Sequence, residues 1–538
     1  MTKTEIIAAL LMGGAFVIAT PALAQDAPQD QQLPTEPDPS DATADAAIAN
    51  AAPVDEAQAK IELLQAQVEA LQEAIEGVKA QMARTTPSWK GSPQLEDKEA
   101  GWSFKVRGRV QYDAGYVSNP DDDPNGGLIT RNLGFNTRAR RIRLGAEGTI
   151  PGGFGYKCEA DFANASVGFG DCVMSYSPTN SPFNVVIGNQ ETNNGLEQIS
   201  SSRFSSFVER AAFTDAFIDT RRLGINLGYV NKSNDFRVNA GLWTAHSIDS
   251  SLDNEGWIGA LRAVYSPLKG GNQLHFGANY QHREFQSNNN GSTASSSGQP
   301  SVNQTARYRA RPFSQLTDVR FVDTGTFAAK SDDIFGLEAA GIFKSLHVAA
   351  EGQYLRSSAY GTGDTLPNMS GGNTINLFPG NATTVLVPNG NPSFWGGYVE
   401  AGYFLPGETR GYKNGTWDRT KVLKPFSKGG SGAFQINARV DYLDLDSRKL
   451  HEAYNNNFLT GAFAGTNNYT RGGKQLGLLA GLTWIPEDYV RVLFNYSHAF
   501  VTGGPFADEV SGLATSNPDV ADEDYGVDVF QTRFQIDF

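Results

Sequence analysis

The chain of 538 residues lacks several features on which soluble enzymes depend. Its 2 cysteines are too few for a disulfide framework, a zinc ribbon or a thiol-redox motif. None of its 6 histidines form a pair spaced i, i+4, and no Gly-x-Ser-x-Gly elbow occurs, so neither a metal site nor a serine-hydrolase site is indicated. We therefore expect no enzymatic activity, no metal and no cofactor.

Charge is also scarce. Only 19% of the residues are charged, against about a quarter in typical soluble domains, and the formal net charge is −14. Nucleic-acid-binding domains are usually basic, so no nucleic-acid partner is expected. No internal run reaches the roughly 18 apolar residues that a spanning helix needs, which argues against a helical membrane protein. The 58 glycines and 11% aromatic residues instead favour a large β-rich protein.

The first 24 residues predict export. Lys3 precedes an apolar stretch at 6–19, and Ala22-Leu23-Ala24 provides the small residues that a signal peptidase reads. The stretch is short for a membrane anchor, although a retained helix is the alternative. Residues 1–24 are therefore predicted to be a signal peptide.

Three segments are predicted between the signal and residue 101, all on the periplasmic side. Residues 25–53 are rich in Ala, Pro, Asp and Gln and predict a disordered acidic linker. Residues 54–84 predict an oligomerising coiled coil, with an amphipathic helix packed on a core as the alternative, and residues 85–100 predict a second linker. The apolar seam at a 3-4 spacing is Val54, Ala57, Ile61, Leu64, Val68, Leu71, Ile75, Val78 and Met82.

From residue 101 to 538 the apolar residues alternate with polar ones in segments of about ten residues. One such segment runs from Phe434 to Tyr442, and another ends the chain on Phe538. Charged residues occupy the polar faces, and aromatic residues cluster near segment ends, as in barrels that are apolar outside and polar inside. The sequence predicts an all-β fold, an antiparallel transmembrane β-barrel of 16 strands with long outer loops and short inner turns.

Three stretches of this region resemble the phosphate-selective porin O and P family. They are residues 396–410 with 422–426, residues 140–148, and residues 195–204 leading to Glu209-Arg210-Ala211. The resemblance covers about 101–538 and implies a trimeric outer-membrane diffusion porin whose third outer loop folds into the lumen. The segment at about 189–214, which follows a predicted strand, is expected to be this inserted loop, with an ordinary surface loop as the alternative. Because Glu191-Thr192-Asn193-Asn194 departs from the pattern of many relatives, a tight phosphate constriction is in doubt.

Basic residues on the polar faces are the candidate anion-binding, pore-lining residues. Guanidinium groups bind phosphate oxygens in a bidentate way, and a pore lined by them concentrates anions. The alternative is that these side chains pair with inward carboxylates such as Glu147, Glu159 and Asp441 and only reinforce the wall. The candidates are Lys105, Arg107, Arg109, Arg141, Arg143, Arg203 on the inserted loop, Arg222, Arg237, Arg262, Arg439, Arg491 and Arg533.

The two cysteines lie on consecutive predicted strands. Cys158 and Cys172 share the parity of apolar neighbours, so both are expected on the outer face and opposite each other. An exported protein meets an oxidising environment, which makes a disulfide plausible, with two separate thiols as the alternative.

Three functions remain open. The first is passive diffusion of small solutes, with a preference for anions and possibly for phosphate or polyphosphate. The second is a porin for uncharged or other solutes. The third is mainly structural, with the coiled coil tethering the outer membrane to the cell wall. The expected partners are outer-membrane lipid, small anions and two further copies of the chain.

Overall fold

The computed structural model describes residues 53–84, 88–89, 91–121, 132–163, 167–248, 256–285, 305–364, 384–405, 407–457 and 462–538. The predicted signal peptide and nearly all of the first linker lie outside these residues. The chain divides into two compact units, Met1–Gly77 and Val78–Phe538.

Helix α1 spans Pro53–Arg84 and covers the predicted coiled-coil segment. Ala, Glu, Gln, Leu and Lys dominate its sequence, and all are good helix formers. The described seam side chains are about half exposed or more, from 48% for Ile61 to 61% for Leu71. The heptad interpretation therefore remains a prediction. Among the described residues, no helix is long and apolar enough to cross a bilayer.

Sixteen antiparallel strands form one closed barrel, as the sequence predicts. Each strand pairs with the next in the chain, and the last pairs with the first from Val529↔Val117 to Asp537↔Arg109, which closes the sheet. The strands are β1 Trp102–Val117, β2 Gly134–Ile150, β3 Phe154–Asp161, β4 Gly168–Tyr176, β5 Phe183–Gln190, β6 Arg222–Val230, β7 Phe236–Thr244, β8 Gly256–Tyr265, β9 Asn272–Phe285, β10 Phe327–Phe343, β11 Leu346–Ala359, β12 Ser393–Phe404, β13 Ala433–Asp444, β14 Lys474–Glu487, β15 Val490–Thr502 and β16 Asp524–Asp537.

Strand β13 shows why these segments form a barrel wall. Ile436 and Val440 are exposed on the outside, whereas Asn437, Arg439 and Asp441 are buried on the inside. A strand with this pattern can face lipid on one side only if its polar side finds partners or water within the barrel. The period of two therefore fixes both the register and the inside-out arrangement.

Both chain ends of the barrel lie at one end, which we call the terminal end; the other is the loop end. Most connections at the terminal end are short, as predicted, but residues 405–432 between β12 and β13 are an exception. This segment, the terminal insert, contains a hairpin of Gly411–Lys413 and Thr416–Asp418 and a 3-10 turn at Phe426–Lys428. The prediction of uniformly short inner turns is wrong here.

The connections at the loop end carry small elements of their own. Helix α4 (Arg448–His451) and helix α5 (Ala507–Ser511) lie in two of them, with a 3-10 turn at Pro518–Asp522. The short strands are Thr305–Ala306, Arg309–Ala310, Val322–Asp323, Thr384–Val387, Glu452–Asn457 and Ala462–Asn467.

Part of the predicted linker at 85–100 is ordered sheet instead. The short strand Pro93–Asp97 pairs with the start of β1. Ser88–Trp89 in turn pairs with the first two residues of that short strand. The Ser92 hydroxyl donates to the Val106 carbonyl at 2.6 Å. The backbone pairing of these short strands extends the barrel wall at the terminal end, so a linker is the wrong description of this part.

The two cysteines form a disulfide on the outer face of the wall. Cys158 on β3 lies opposite Cys172 on β4, and their sulfurs are joined. Cys158 is exposed, in agreement with the outward parity of its neighbours. Cross-strand neighbours on one face lie close enough for such a bridge.

Candidate permeation site in the lumen

The segment between β5 and β6 crosses the inside of the barrel. This segment, L3, spans residues 191–221 and contains helices α2 (Leu196–Ile199) and α3 (Ala212–Phe217). It begins and ends later than the predicted 189–214, because Asn189 and Gln190 still pair with β6. Several of its apolar side chains, among them Phe207 and Phe213, are almost completely buried.

Arginines hold the irregular backbone of L3. Backbone carbonyls that lie inside a barrel without ladder partners need other donors. Wall arginines provide them: Arg491 donates to the carbonyls of residues 203 and 205, Arg533 to residue 208 and Arg283 to residue 217. Within L3, Arg210 donates to the carbonyls of residues 197, 198 and 200, each at 3.0 Å. Several arginines are therefore structural donors.

Between L3 and strands β1–β4, which we call the front wall, lie two cavities. The cavity lined by Arg140 and Arg311, which we call the upper cavity, has a volume of about 380 Å³. The cavity lined by Arg107 and Arg109, which we call the lower cavity, has a volume of about 140 Å³. Both are lined by Arg141, Arg143, Arg210 and Arg221, so they adjoin each other. We call the two together the passage.

The charge of the passage is strongly biased. Ten basic side chains and five acidic ones line it. The basic ones are Arg107, Arg109, Arg140, Arg141, Arg143, Lys157, Arg203, Arg210, Arg221 and Arg311, and the acidic ones are Glu159, Asp171, Glu191, Glu209 and Asp215. A cleft of one sign with low-dielectric walls raises the local concentration of the opposite ion.

Two arginines of the front wall differ from its other basic residues in their partners. Arg109 donates to the hydroxyls of Ser202 at 2.7 Å and Ser201 at 3.3 Å, and Arg141 donates to the Gln111 amide oxygen at 2.8 Å. Both side chains are at least nine-tenths buried. Within the described residues, no carboxylate makes an ion pair with either of them. A guanidinium carries five N–H donors, so both retain donors for a further acceptor.

The other candidates on the front wall are paired. Arg143 binds Glu159 at 2.9 Å and Asp161 at 2.7 Å, and Arg107 binds Glu147. Lys105 is half-buried opposite Glu147 on the neighbouring strand. These pairs lower the net charge of the passage without removing its excess of cations.

L3 supplies charge to the passage from the other side. Burial, followed by repulsion from Arg107, lowers the pKa of Arg203, and burial also lowers the pKa of Arg210. Arg203 has Asp537 at 3.7 Å as a distant partner. An anion near these guanidinium groups would offset both penalties, since a nearby opposite charge favours the charged form.

Lys105 and the six remaining candidates do not line the passage, so the structure does not support them as anion ligands in these two cavities. Arg262 pairs with Glu338 at 2.7 Å, Arg439 with Glu400 at 2.6 Å, and Arg533 with Asp113 at 2.7 Å. Arg222 pairs with Asp219, Arg237 donates to Asn414, and Arg491 holds L3. For Arg262, Arg439 and Arg533 the physical reason is a carboxylate of the barrel wall, as the wall-pairing alternative states. Arg237 and Arg491 instead bind an amide oxygen and backbone carbonyls.

Arg140 is a passage residue that parity alone misses. Strict alternation puts it on the outer face, next to the inward Arg141. The ladder shifts between Gln111↔Arg141 and Tyr112↔Ala139, so β2 has one extra residue at this point. Such a bulge re-aims a side chain, and Arg140 turns inward to bind Glu209 at 3.0 Å.

Other passage residues were also missed. Arg210, Arg221 and Arg311 come from loops, where alternation says nothing about direction. The stretch Glu209-Arg210-Ala211 resembles the family, and this resemblance could have indicated Arg210 as a passage residue. In the part of the chain that the structure describes, no group of three or more His, Cys, Asp or Glu residues could hold a metal ion.

Comparison with known proteins gives the family. The profile described as phosphate-selective porin O and P matches residues 104–504. The chain belongs to this family. It is an outer-membrane porin, and family and fold describe a channel rather than an enzyme. An uncharacterized protein of Caulobacter vibrioides is 33% identical over 470 residues, which cover 86% of this chain and 78% of the relative.

Solved structures similar to this porin are themselves outer-membrane channels. The anion-selective porin of Comamonas acidovorans is 12% identical with a TM-score of 0.41, covering 81% of this chain and 100% of that one. The channel DcaP of Acinetobacter baumannii is 13% identical with a TM-score of 0.42, covering 82% and 98%.

Proposed function

We propose that this porin passes small anions by diffusion through the passage between L3 and the front wall. The observation that carries the proposal is the twofold excess of basic over acidic side chains there, with Arg109 and Arg141 free of carboxylate partners. The cavity volumes suit inorganic ions and small organic anions rather than oligosaccharides or peptides.

The path of an anion follows from the lining. In the upper cavity it meets Arg140 and Arg141, and in the lower one it meets Arg109 beside the hydroxyls of Ser201 and Ser202. Guanidinium N–H groups and hydroxyls can together replace part of the hydration shell of an oxyanion. Conduction also requires that the ion leave, and the five carboxylates of the lining keep binding shallow.

A preference for anions in general is better supported than strict phosphate specificity. Glu191 lies in the passage, pairs with Arg221 at 3.0 Å and accepts from Gln198 at 2.7 Å. Glu191 thereby neutralises the charge of Arg221 and occupies the amide donor of Gln198, and phosphate could otherwise use both groups. The family description supports phosphate as one of the transported anions, so the proposal includes phosphate without excluding chloride.

The assembly remains part of the proposal. The exposed seam of α1, with Leu64 at 58% and Leu71 at 61%, supports an oligomerising stalk on the periplasmic side of a homotrimer. A mainly structural role as a tether to the cell wall is the alternative function for this segment.

The test is the ion preference of the wild-type protein in planar bilayers. In a gradient of potassium chloride, the zero-current potential should show that chloride is more permeant than potassium. Phosphate added at fixed ionic strength should reduce chloride current if it shares the passage. A zero-current potential of the opposite sign would contradict the proposal and leave a general porin.

A further inference from the structure

The terminal insert enters the lumen from the terminal end and reaches the back of L3. Its hairpin turns at Asn414 and Gly415, which both have positive φ values of 55° and 77°. Such a two-residue turn matches the twist of a hairpin and is favoured by Asn-Gly. The wall fixes the hairpin, since Arg262 donates to the Gly415 carbonyl at 3.1 Å and the Tyr412 hydroxyl lies 2.6 Å from His275.

Arg410 joins the insert to L3 through two hydrogen bonds, and Trp417 of the insert supports its guanidinium. Its guanidinium donates to the Ser206 hydroxyl at 2.6 Å and to the Phe204 carbonyl at 2.9 Å, and it stacks on the Trp417 ring at 4.3 Å. The side chain is 5% exposed and lines neither cavity of the passage. The Trp417 backbone N–H adds a bond to the Ser200 hydroxyl at 3.1 Å.

The part of L3 held in this way is the part that faces the anion path. Residues 200–206 include Ser201 and Ser202, which accept from Arg109, and Arg203 and Ser205, which line the two cavities. The insert contacts the back of this segment while its front faces the passage. A displacement of the segment would therefore change both the width of the passage and the position of Arg203.

We infer that the terminal insert, through Arg410 and Trp417, positions the passage face of L3 and thereby sets the selectivity of the channel from outside the two cavities of the passage. Arg410 is a positioning residue, since it acts on the ion through Ser206 and Phe204. The inference rests on the proposed anion passage for its selectivity readout, but not for its effect on the geometry of L3.

The experiment compares Arg410→Gln with Lys413→Gln in planar bilayers. Lys413 lies on the same insert and is exposed, so its substitution removes one positive charge without touching L3. Arg410→Gln should change the chloride-over-potassium permeability ratio by about twofold or more, as residues acting through others do, and raise open-channel noise. Lys413→Gln should change neither the permeability ratio nor the noise. Arg410→Lys should bring both partly back to the wild-type values, because lysine restores the charge but cannot bond to Ser206 and Phe204 with two separate nitrogens.

The outcomes separate the two proposals. If Arg410→Gln matches Lys413→Gln in conductance, noise and selectivity, the insert does not position L3. If the wild type shows no anion preference while Arg410→Gln still alters conductance and noise, the proposed function fails and the positioning role stands. Should Arg410→Gln not assemble, Ser206→Ala removes the same hydrogen bond from the L3 side, and unchanged noise and conductance there would overturn the inference.

Discussion

The front wall and the back wall of the lumen, β1–β4 and β9–β13, are built from the same residue types yet do different work. On the back wall, Arg439 is almost fully buried between Glu197 at 2.5 Å and Glu400 at 2.6 Å. On the front wall, Arg109 and Arg141 are nearly as buried but bind only hydroxyl and amide groups. In this comparison the partner differs: carboxylates neutralise Arg439, whereas the hydroxyl and amide partners of Arg109 and Arg141 leave their charge to act on an ion.

The largest expected effect is on the back wall. Arg439→Gln leaves Glu400 and Glu197 buried without their cation, and removing one partner of a buried pair costs about 3–5 kcal/mol. We expect the free energy of unfolding in detergent to fall by about that amount. The control, Arg448→Gln, removes an 84% exposed member of an ion pair and should cost about 1 kcal/mol or less. Equal losses in the two variants would break the comparison.

A smaller effect is expected from the disulfide on the outer face of the front wall. Cys158 and Cys172 are separated by 14 residues, and closing a loop of this size stabilises by up to about 3 kcal/mol. The double variant Cys158→Ser with Cys172→Ser should unfold at lower denaturant concentration. Its ion selectivity should equal that of the wild type, because both side chains lie outside the passage. Altered selectivity would show that the outer face and the passage are not independent.

Much of the front wall could be predicted from the sequence. The period of two in β1 puts Arg107 and Arg109 inside, and the structure agrees because that strand is regular as far as Gln111. The barrel itself and the pairing of the two cysteines follow from the same alternation. Where the strand pairing is regular, the alternation of residues is sufficient to predict which side chains face the lumen.

The other features of the lumen could not be predicted, because they depend on irregular strand pairing and on contacts between residues distant in sequence. A single extra residue at the bulge turns Arg140 inward, and which arginines meet a carboxylate depends on pairs distant in sequence, such as Arg533 with Asp113. The terminal insert was missed because a short turn was expected there, although Asn414-Gly415 is a hairpin signal. Arg410 lies beside that hairpin, and its role depends on L3, about two hundred residues earlier in the chain.

The most direct test of the account is the permeability ratio of the double variant Arg109→Gln with Arg141→Gln, measured from zero-current potentials in a potassium chloride gradient. Each guanidinium within reach of the ion contributes on the order of 1 kcal/mol, so removing both should lower chloride-over-potassium permeability by about tenfold or more while the barrel still folds. Arg448→Gln, which removes one positive charge outside the lumen, should leave the ratio unchanged. A double variant with wild-type selectivity would contradict the claim that arginines without carboxylate partners select the anion.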